Sequence, residues 1–131
     1  MSKRDIDLEL KKSYAKYSLR WCEDNLGINP RKRKRLSLVV SIRKRMQGKF
    51  VYYGNYCHNR NQITIYINNC STLKELISTI IHEYTHYLQP MGRYKEYEKY
   101  YYYSTHPFER QAKRNEVKYT QPCLSSIRGK F

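Results

Sequence analysis

His82, Glu83 and His86, set in Ile81-His82-Glu83-Tyr84-Thr85-His86-Tyr87, are the residues of this chain whose types and spacing specify chemistry. Four residues make just over one helical turn, so both imidazoles stand on one helix face, close enough to hold a single Zn2+. Glu83 falls beside them, where it could take a proton from a water on that ion. The spacing points to metal-assisted hydrolysis. Two helical histidines can also do no more than satisfy polar neighbours, and with four histidines in 131 residues the pattern can arise by accident. A framed helix around it is the context that separates the two readings.

The flanks predict that helix. Ser71-Thr72-Leu73-Lys74-Glu75 reads as a capping box, with Thr72 as N-cap and Glu75 three positions on. Leu73, Leu76, Ile77, Ile80, Tyr84 and Leu88 then recur at spacings of three and four, which buries one stripe. Gln89-Pro90-Met91-Gly92 stops the helix. His82 and His86 lie at the border of the stripe, where an ion could be held between this helix and an element facing it.

Catalytic zinc takes three protein ligands, so a third must come from elsewhere. Downstream, Thr105 or His106 can cap a helix whose first position is Pro107, which puts Glu109 in its first turn. The H-E-x-x-H segment followed by Glu109-Arg110-Gln111-Ala112 resembles the zincin metallopeptidases of the Glu-ligand type, in which a second helix supplies a carboxylate from an E-x-x-A segment. That resemblance implies His82, His86 and Glu109 as zinc ligands, with Glu83 as general base in peptide hydrolysis. His106 is the alternative third ligand, which would give a three-histidine site as in the SprT-like proteases that act on protein crosslinked to DNA. The further His-containing signature of that group has no match here. Read without the resemblance, Glu109 is an N-terminal helix carboxylate favoured by the macrodipole, and His106 a cap or an outer hydrogen-bond partner.

A chain of 131 residues suffices for one core but not for a catalytic domain plus an independent partner. The expected division is a single domain over 1–120 and a basic tail over 121–131, since the segment after Ala112 is polar and interrupted by Pro122 and Gly129. No apolar run reaches the roughly 18 residues of a membrane span, and Met1-Ser2-Lys3-Arg4-Asp5 leads into charged sequence. These features predict an intracellular, cytoplasmic protein, nuclear in a host with a nucleus, neither secreted nor membrane-bound. Cys22, Cys57, Cys70 and Cys123 show no C-x-x-C pairing, which argues against a zinc knuckle and for free thiols.

Charge carries the second signal. The formal net charge is +15, and no acidic residue occurs from Arg31 through Lys74. Arg31, Lys32, Arg33, Lys34 and Arg35 are consecutive, and Arg43, Lys44 and Arg45 follow. Such a half-molecule attracts phosphate backbone, and the interleaved Phe50, Tyr52, Tyr53, Tyr56 and Tyr66 could stack on DNA or RNA bases. The plain reading is a solvated positive face, which also suits acidic protein substrates. A nucleic-acid-binding protein on an inactive or structural zincin scaffold is therefore the alternative function, and a peptidase acting on nucleic-acid-associated proteins combines both.

Around these residues the patterning predicts an α+β fold. Ile6 to Asn25 reads as an amphipathic helix with Ile6, Leu10, Tyr14, Tyr17 and Trp21 on its buried stripe. Strands are expected over Leu36 to Ile42, over Lys49 to Tyr56 with a break or bulge at Gly54-Asn55, and over Ile63 to Ile67. The order N-terminal helix, three-stranded mixed sheet, H-E-x-x-H helix and second ligand-bearing helix is what a minimal zincin-like fold needs. It also offers a sheet edge along which a peptide can pair. Six tyrosines (Tyr94, Tyr97, Tyr100, Tyr101, Tyr102 and Tyr103) fall between the two ligand helices. One phenol there could donate to an oxyanion, while Tyr94, Tyr97 and Tyr101 at helical spacing could simply pack an extra helix.

Overall fold

Helix α1 spans Lys3–Leu26, and the line it buries is made of small residues, Ala15, Ser18 and Cys22, in the computed structural model of the chain. The structure describes residues 3–32 and 34–130, with side chains from residue 8 onward, so the Ile6 side chain and Arg33 lie outside the described residues. The expected stripe is thus displaced. Tyr14, Tyr17 and Trp21 flank the contact half-buried, and Leu10 is exposed. Small side chains at the centre let α1 lie close to its neighbours, and the aromatics seal the margins. Gly27, at φ +86°, turns the chain out of the helix, and its carbonyl accepts a hydrogen bond from the Tyr84 phenol.

Strand β1 (Ser37–Ser41) runs parallel to the central strand β5 (Gln62–Tyr66), whose other side is taken by β4 (Gly54–Cys57), antiparallel. The sheet is therefore mixed and three-stranded, in the order β1-β5-β4. Ile63 and Ile65 alternate into the core as their period-two spacing predicts. The strand expected from Lys49 to Tyr56 is two strands. A short β3 (Phe50–Val51) pairs with β2 (Met46–Gln47) across a turn with Gly48 at φ +60°, and β4 begins only at Gly54.

The expected break falls at Tyr52-Tyr53, just before Gly54, and Gly54 itself stays in the ladder opposite Ile65. A Cβ on it would lie 2.7 Å from Thr79 Cγ2, so the missing side chain is what lets the next helix approach β4. That helix, α2 (Leu73–Leu88), buries Leu76, Ile77, Ile80, Ile81 and Tyr84 between the sheet on one side and α1 and α4 on the other. A short helix α3 (Tyr94–Glu98) and a 3-10 turn (Tyr103–Thr105) lead to α4 (Pro107–Lys130).

Helix α4 corrects the expected tail over 121–131. Cys123, Leu124 and Ile127 are buried in the core, and Pro122 lies inside the helix on its exposed side. The Lys118 carbonyl that loses its helical partner there belongs to an exposed residue and can turn to water. Packing of one face thus overrides a proline that reads as a stop. The four cysteines are free, and no helix among the described residues is long and apolar enough to cross a membrane.

Candidate metal centre

The caps of α2 form much as the sequence predicts. Thr72 Oγ1 accepts the Glu75 N–H at 3.1 Å, and the Glu75 carboxylate reaches back to the Ser71 N–H at 2.9 Å. At the other end the Gln89 N–H closes on the His86 carbonyl at 3.1 Å before Pro90. His82 and His86 fall one turn apart on the side of α2 that α4 covers, with ring centroids 5.0 Å apart.

His106 starts α4. Its carbonyl accepts the Arg110 N–H at 2.9 Å, its Nδ1 accepts the Phe108 N–H at 3.1 Å, and its Nε2 donates to the Tyr94 carbonyl at 3.1 Å. Both ring nitrogens are used in this capping, so the alternative third ligand has no lone pair to offer. Glu109 does. Its Oε1 lies 2.9 Å from His82 Nε2 and 3.0 Å from His86 Nε2.

The outer nitrogens of both histidines explain that convergence. Gln89 donates its amide hydrogens to the Phe108 carbonyl at 3.0 Å and to Gln111 Oε1 at 2.8 Å, so its oxygen is the atom facing His86. His86 Nδ1, 2.7 Å from that oxygen, must carry the proton. His82 Nδ1 likewise donates to Glu116 Oε2 at 2.9 Å. With both Nδ1 protons turned outward, two Nε2 lone pairs and a carboxylate oxygen face one point. Electron-rich atoms so close repel unless a proton or a cation lies among them.

In the protein without metal, protons fill that role. Burial opposes charge on His82, but its hydrogen bonds to Glu109 and Glu116 outweigh burial and push its pKa up to about 10. Glu109, although burial alone would raise it, is held far below the ordinary carboxylate value by its bonds to His82 and His86. A cation fits equally well. Ligand atoms bonded at about 2.1 Å to one zinc ion stand roughly 3 to 3.5 Å from each other, close to the spacings found. His82, Glu83 and His86 also offer ligand atoms that all lie within 4.8 Å of one another, which is compatible with a metal ion.

Glu83 is buried beside the pair and makes no side-chain hydrogen bond among the described residues. Burial raises its pKa, against the opposing pull of His82 and His86. Two tyrosines complete the surroundings. The Tyr94 phenol donates to Glu109 Oε2, and the Tyr103 phenol lies near enough to the Glu109 carboxylate to feel its charge. Burial first, then that carboxylate, raises both phenols and keeps them protonated. Tyr97 instead packs edge-on against Phe108, 5.3 Å between centroids, while Tyr100 and Tyr102 are exposed.

The basic residues lie elsewhere, in the turn after α1 and in the loops flanking β1. Arg31, Lys34, Arg35, Arg43, Lys44 and Arg45 are exposed and Lys32 is half-buried. Arg45 stacks over Tyr52 at 5.0 Å and donates to the Tyr66 phenol at 3.0 Å. Tyr56 is buried in the core, and Tyr66, on the opposite face of β5 from Ile63 and Ile65, is buried with its phenol against Arg45, so neither is open for stacking on bases; Phe50 and Tyr53 are exposed.

Glu116 and Gln89 are the site residues that sequence reasoning missed. Their signal was positional, Gln89 three residues after His86 and Glu116 seven after Glu109, each on the face of its ligand. Comparison of the chain with protein-family models, with curated proteins and with solved structures gives no match.

Proposed function

We propose that this chain is a zinc-dependent peptidase of the zincin type, in which His82, His86 and Glu109 hold the ion and Glu83 is the general base. The observation that carries this reading is the convergence of His82 Nε2, His86 Nε2 and Glu109 Oε1, with both Nδ1 protons fixed outward on Glu116 and Gln89. Two imidazoles and a carboxylate suit zinc, and leave a coordination position free for chemistry. When bound, the ion supplies Lewis acidity, which makes a water more acidic and a carbonyl more electrophilic.

The chain's own groups account for the proton movements. Glu83, whose pKa burial raises, takes a proton from the attacking water and returns it to the departing amine. The Tyr94 bond to Glu109 Oε2 leaves one oxygen of that carboxylate for the ion. Tyr103, on an exposed turn with its phenol near that carboxylate, is the proposed donor to the oxyanion of a tetrahedral intermediate. Strand β4, at an edge of the sheet with α2 packed against it, offers backbone groups along which an extended peptide can align. Proteins carried on nucleic acid are suitable substrates for a chain of net charge +15.

The test has two readouts. Elemental analysis of the purified protein finds about one zinc per chain, and Glu83→Gln keeps that zinc while losing cleavage of a mixed peptide library read by mass spectrometry. A folded chain that refuses zinc overturns the metal assignment. Equal cleavage by parent and Glu83→Gln removes the proposed base, and a zinc-loaded parent that cleaves nothing favours a structural metal site.

A further inference from the structure

A cleft of about 360 Å3 opens beside the end of α2. One wall is the segment from Leu88 to Arg93, and the other combines the turn around Asn29 to Lys32 with His58 of the β4–β5 turn. Asn29 ties the two walls together. Its backbone N–H donates to the Tyr87 phenol and its side-chain amide to the Tyr87 carbonyl, both at 3.0 Å. Its Oδ1 accepts the Arg31 N–H at 3.0 Å, so the basic turn is pinned to the helix end rather than left loose.

The lining is cationic and contains no acid. Lys32 Nζ donates to His58 Nδ1 at 2.7 Å, and Arg31 and Arg93 line the same space. Three cations gathered round one concavity, Arg31, Lys32 and Arg93, focus a positive field outward. Burial lowers the pKa of Lys32, and burial first, then the Lys32 charge, lowers that of His58.

We propose that this cleft binds a phosphate group, held by Lys32, His58, Arg31 and Arg93. The four donor side chains are spread round the cleft, and a phosphate turns three or four oxygens in different directions toward them, where a carboxylate offers two in one plane. His58 takes a proton when the anion is seated, so that it and Lys32 both donate. The site does not depend on zinc. The phosphate belongs either to a small molecule or to a nucleic-acid backbone.

The test titrates inorganic phosphate into the full chain at low ionic strength, read by calorimetry and by the ring-proton shift of His58. Binding is expected to saturate at one equivalent and to weaken about tenfold in Lys32→Gln and in Arg93→Gln, as for loss of a charge-assisted bond. Lys49→Gln, which removes the same charge from the β2–β3 turn, should leave it nearly unchanged. Absence of saturation, or equal loss in Lys49→Gln, overturns the site in favour of a diffuse field. A single-stranded oligonucleotide then separates the sources. Its displacement by phosphate, with the same ranking of variants, assigns the backbone, and saturation by phosphate with no such competition assigns a small molecule.

Discussion

His82 donates through Nδ1 to the Glu116 carboxylate at 2.9 Å, and that bond decides which of its nitrogens faces Glu109. Without Glu116 the ring can rotate or change tautomer. Glu116→Ala should therefore weaken zinc affinity about 10- to 100-fold, the usual effect of losing such an outer partner. Glu116→Gln, which still offers an oxygen, should cost less. Competition against a chromophoric chelator measures both, and unchanged affinity in Glu116→Ala would show that packing alone orients the ring.

Metal-free protein should be most stable in mildly acidic solution. The folded His82 pKa, about 10, stands above its ordinary 6.5, so its contribution is complete below pH 6.5 and fades as pH rises through 10. Glu109 is displaced the other way, so its contribution is present above its ordinary 4.5 and is lost as acid protonates it. The two describe one coupled pair, which places maximal stability between about pH 4.5 and 6.5. Thermal midpoints of the chelator-treated protein should fall from pH 6.5 to 10. Bound zinc replaces the His82 proton, so the fall should vanish in the loaded protein, and calorimetry near pH 7 should register proton release.

Tyr103→Phe removes a hydroxyl and nothing else. If that phenol meets the oxyanion, kcat should drop about a hundredfold, with KM and zinc content little changed. A variant that loses zinc instead would mark Tyr103 as a support for Glu109.

Gly54→Ala forces a methyl group to within 2.7 Å of Thr79 Cγ2 and 3.2 Å of Ile65 Cδ1. Overpacking of this kind costs about 1 to 3 kcal/mol, to be read from urea unfolding. Adding Thr79→Ser deletes the clashing methyl and should recover part of the loss. Gly92→Ala, with nothing within 4 Å of the new carbon, serves as the neutral control.

The helix of His82 and His86 was legible because every local signal agreed on it: the Thr72 cap, the Leu76-to-Tyr84 stripe and the Gln89-Pro90 stop. The first turn of α4 was legible for the same reason, through Pro107. Its last turns were not. The buried line of Glu109, Ala112, Thr120, Cys123 and Ile127 keeps helical spacing, but it is polar or small for much of its length and crosses Pro122. Only contact with α1 and α2 reveals that this line is a core face. His106 and Glu109 could not be ranked by geometry in the sequence, since the choice depends on the Tyr94 carbonyl taking the His106 ring away. The basic half read as one stacking surface, yet the pleat turns Tyr56 into the core beside Ile63, and Tyr66, on the other face of the sheet, is covered with its phenol held by Arg45.

The placement of Glu109 and Glu116 on the same helix as Cys123, Leu124 and Ile127 bears on how the centre is made during synthesis. The histidines leave the ribosome first, and for a time they are a loose pair that any passing soft metal could take. The carboxylates join them only with α4, which begins some twenty residues after His86 and packs chiefly on α2. On the proposed function, metal choice is thereby deferred until α4 has docked, and a nascent chain stalled before that point would carry a two-histidine site with no carboxylate.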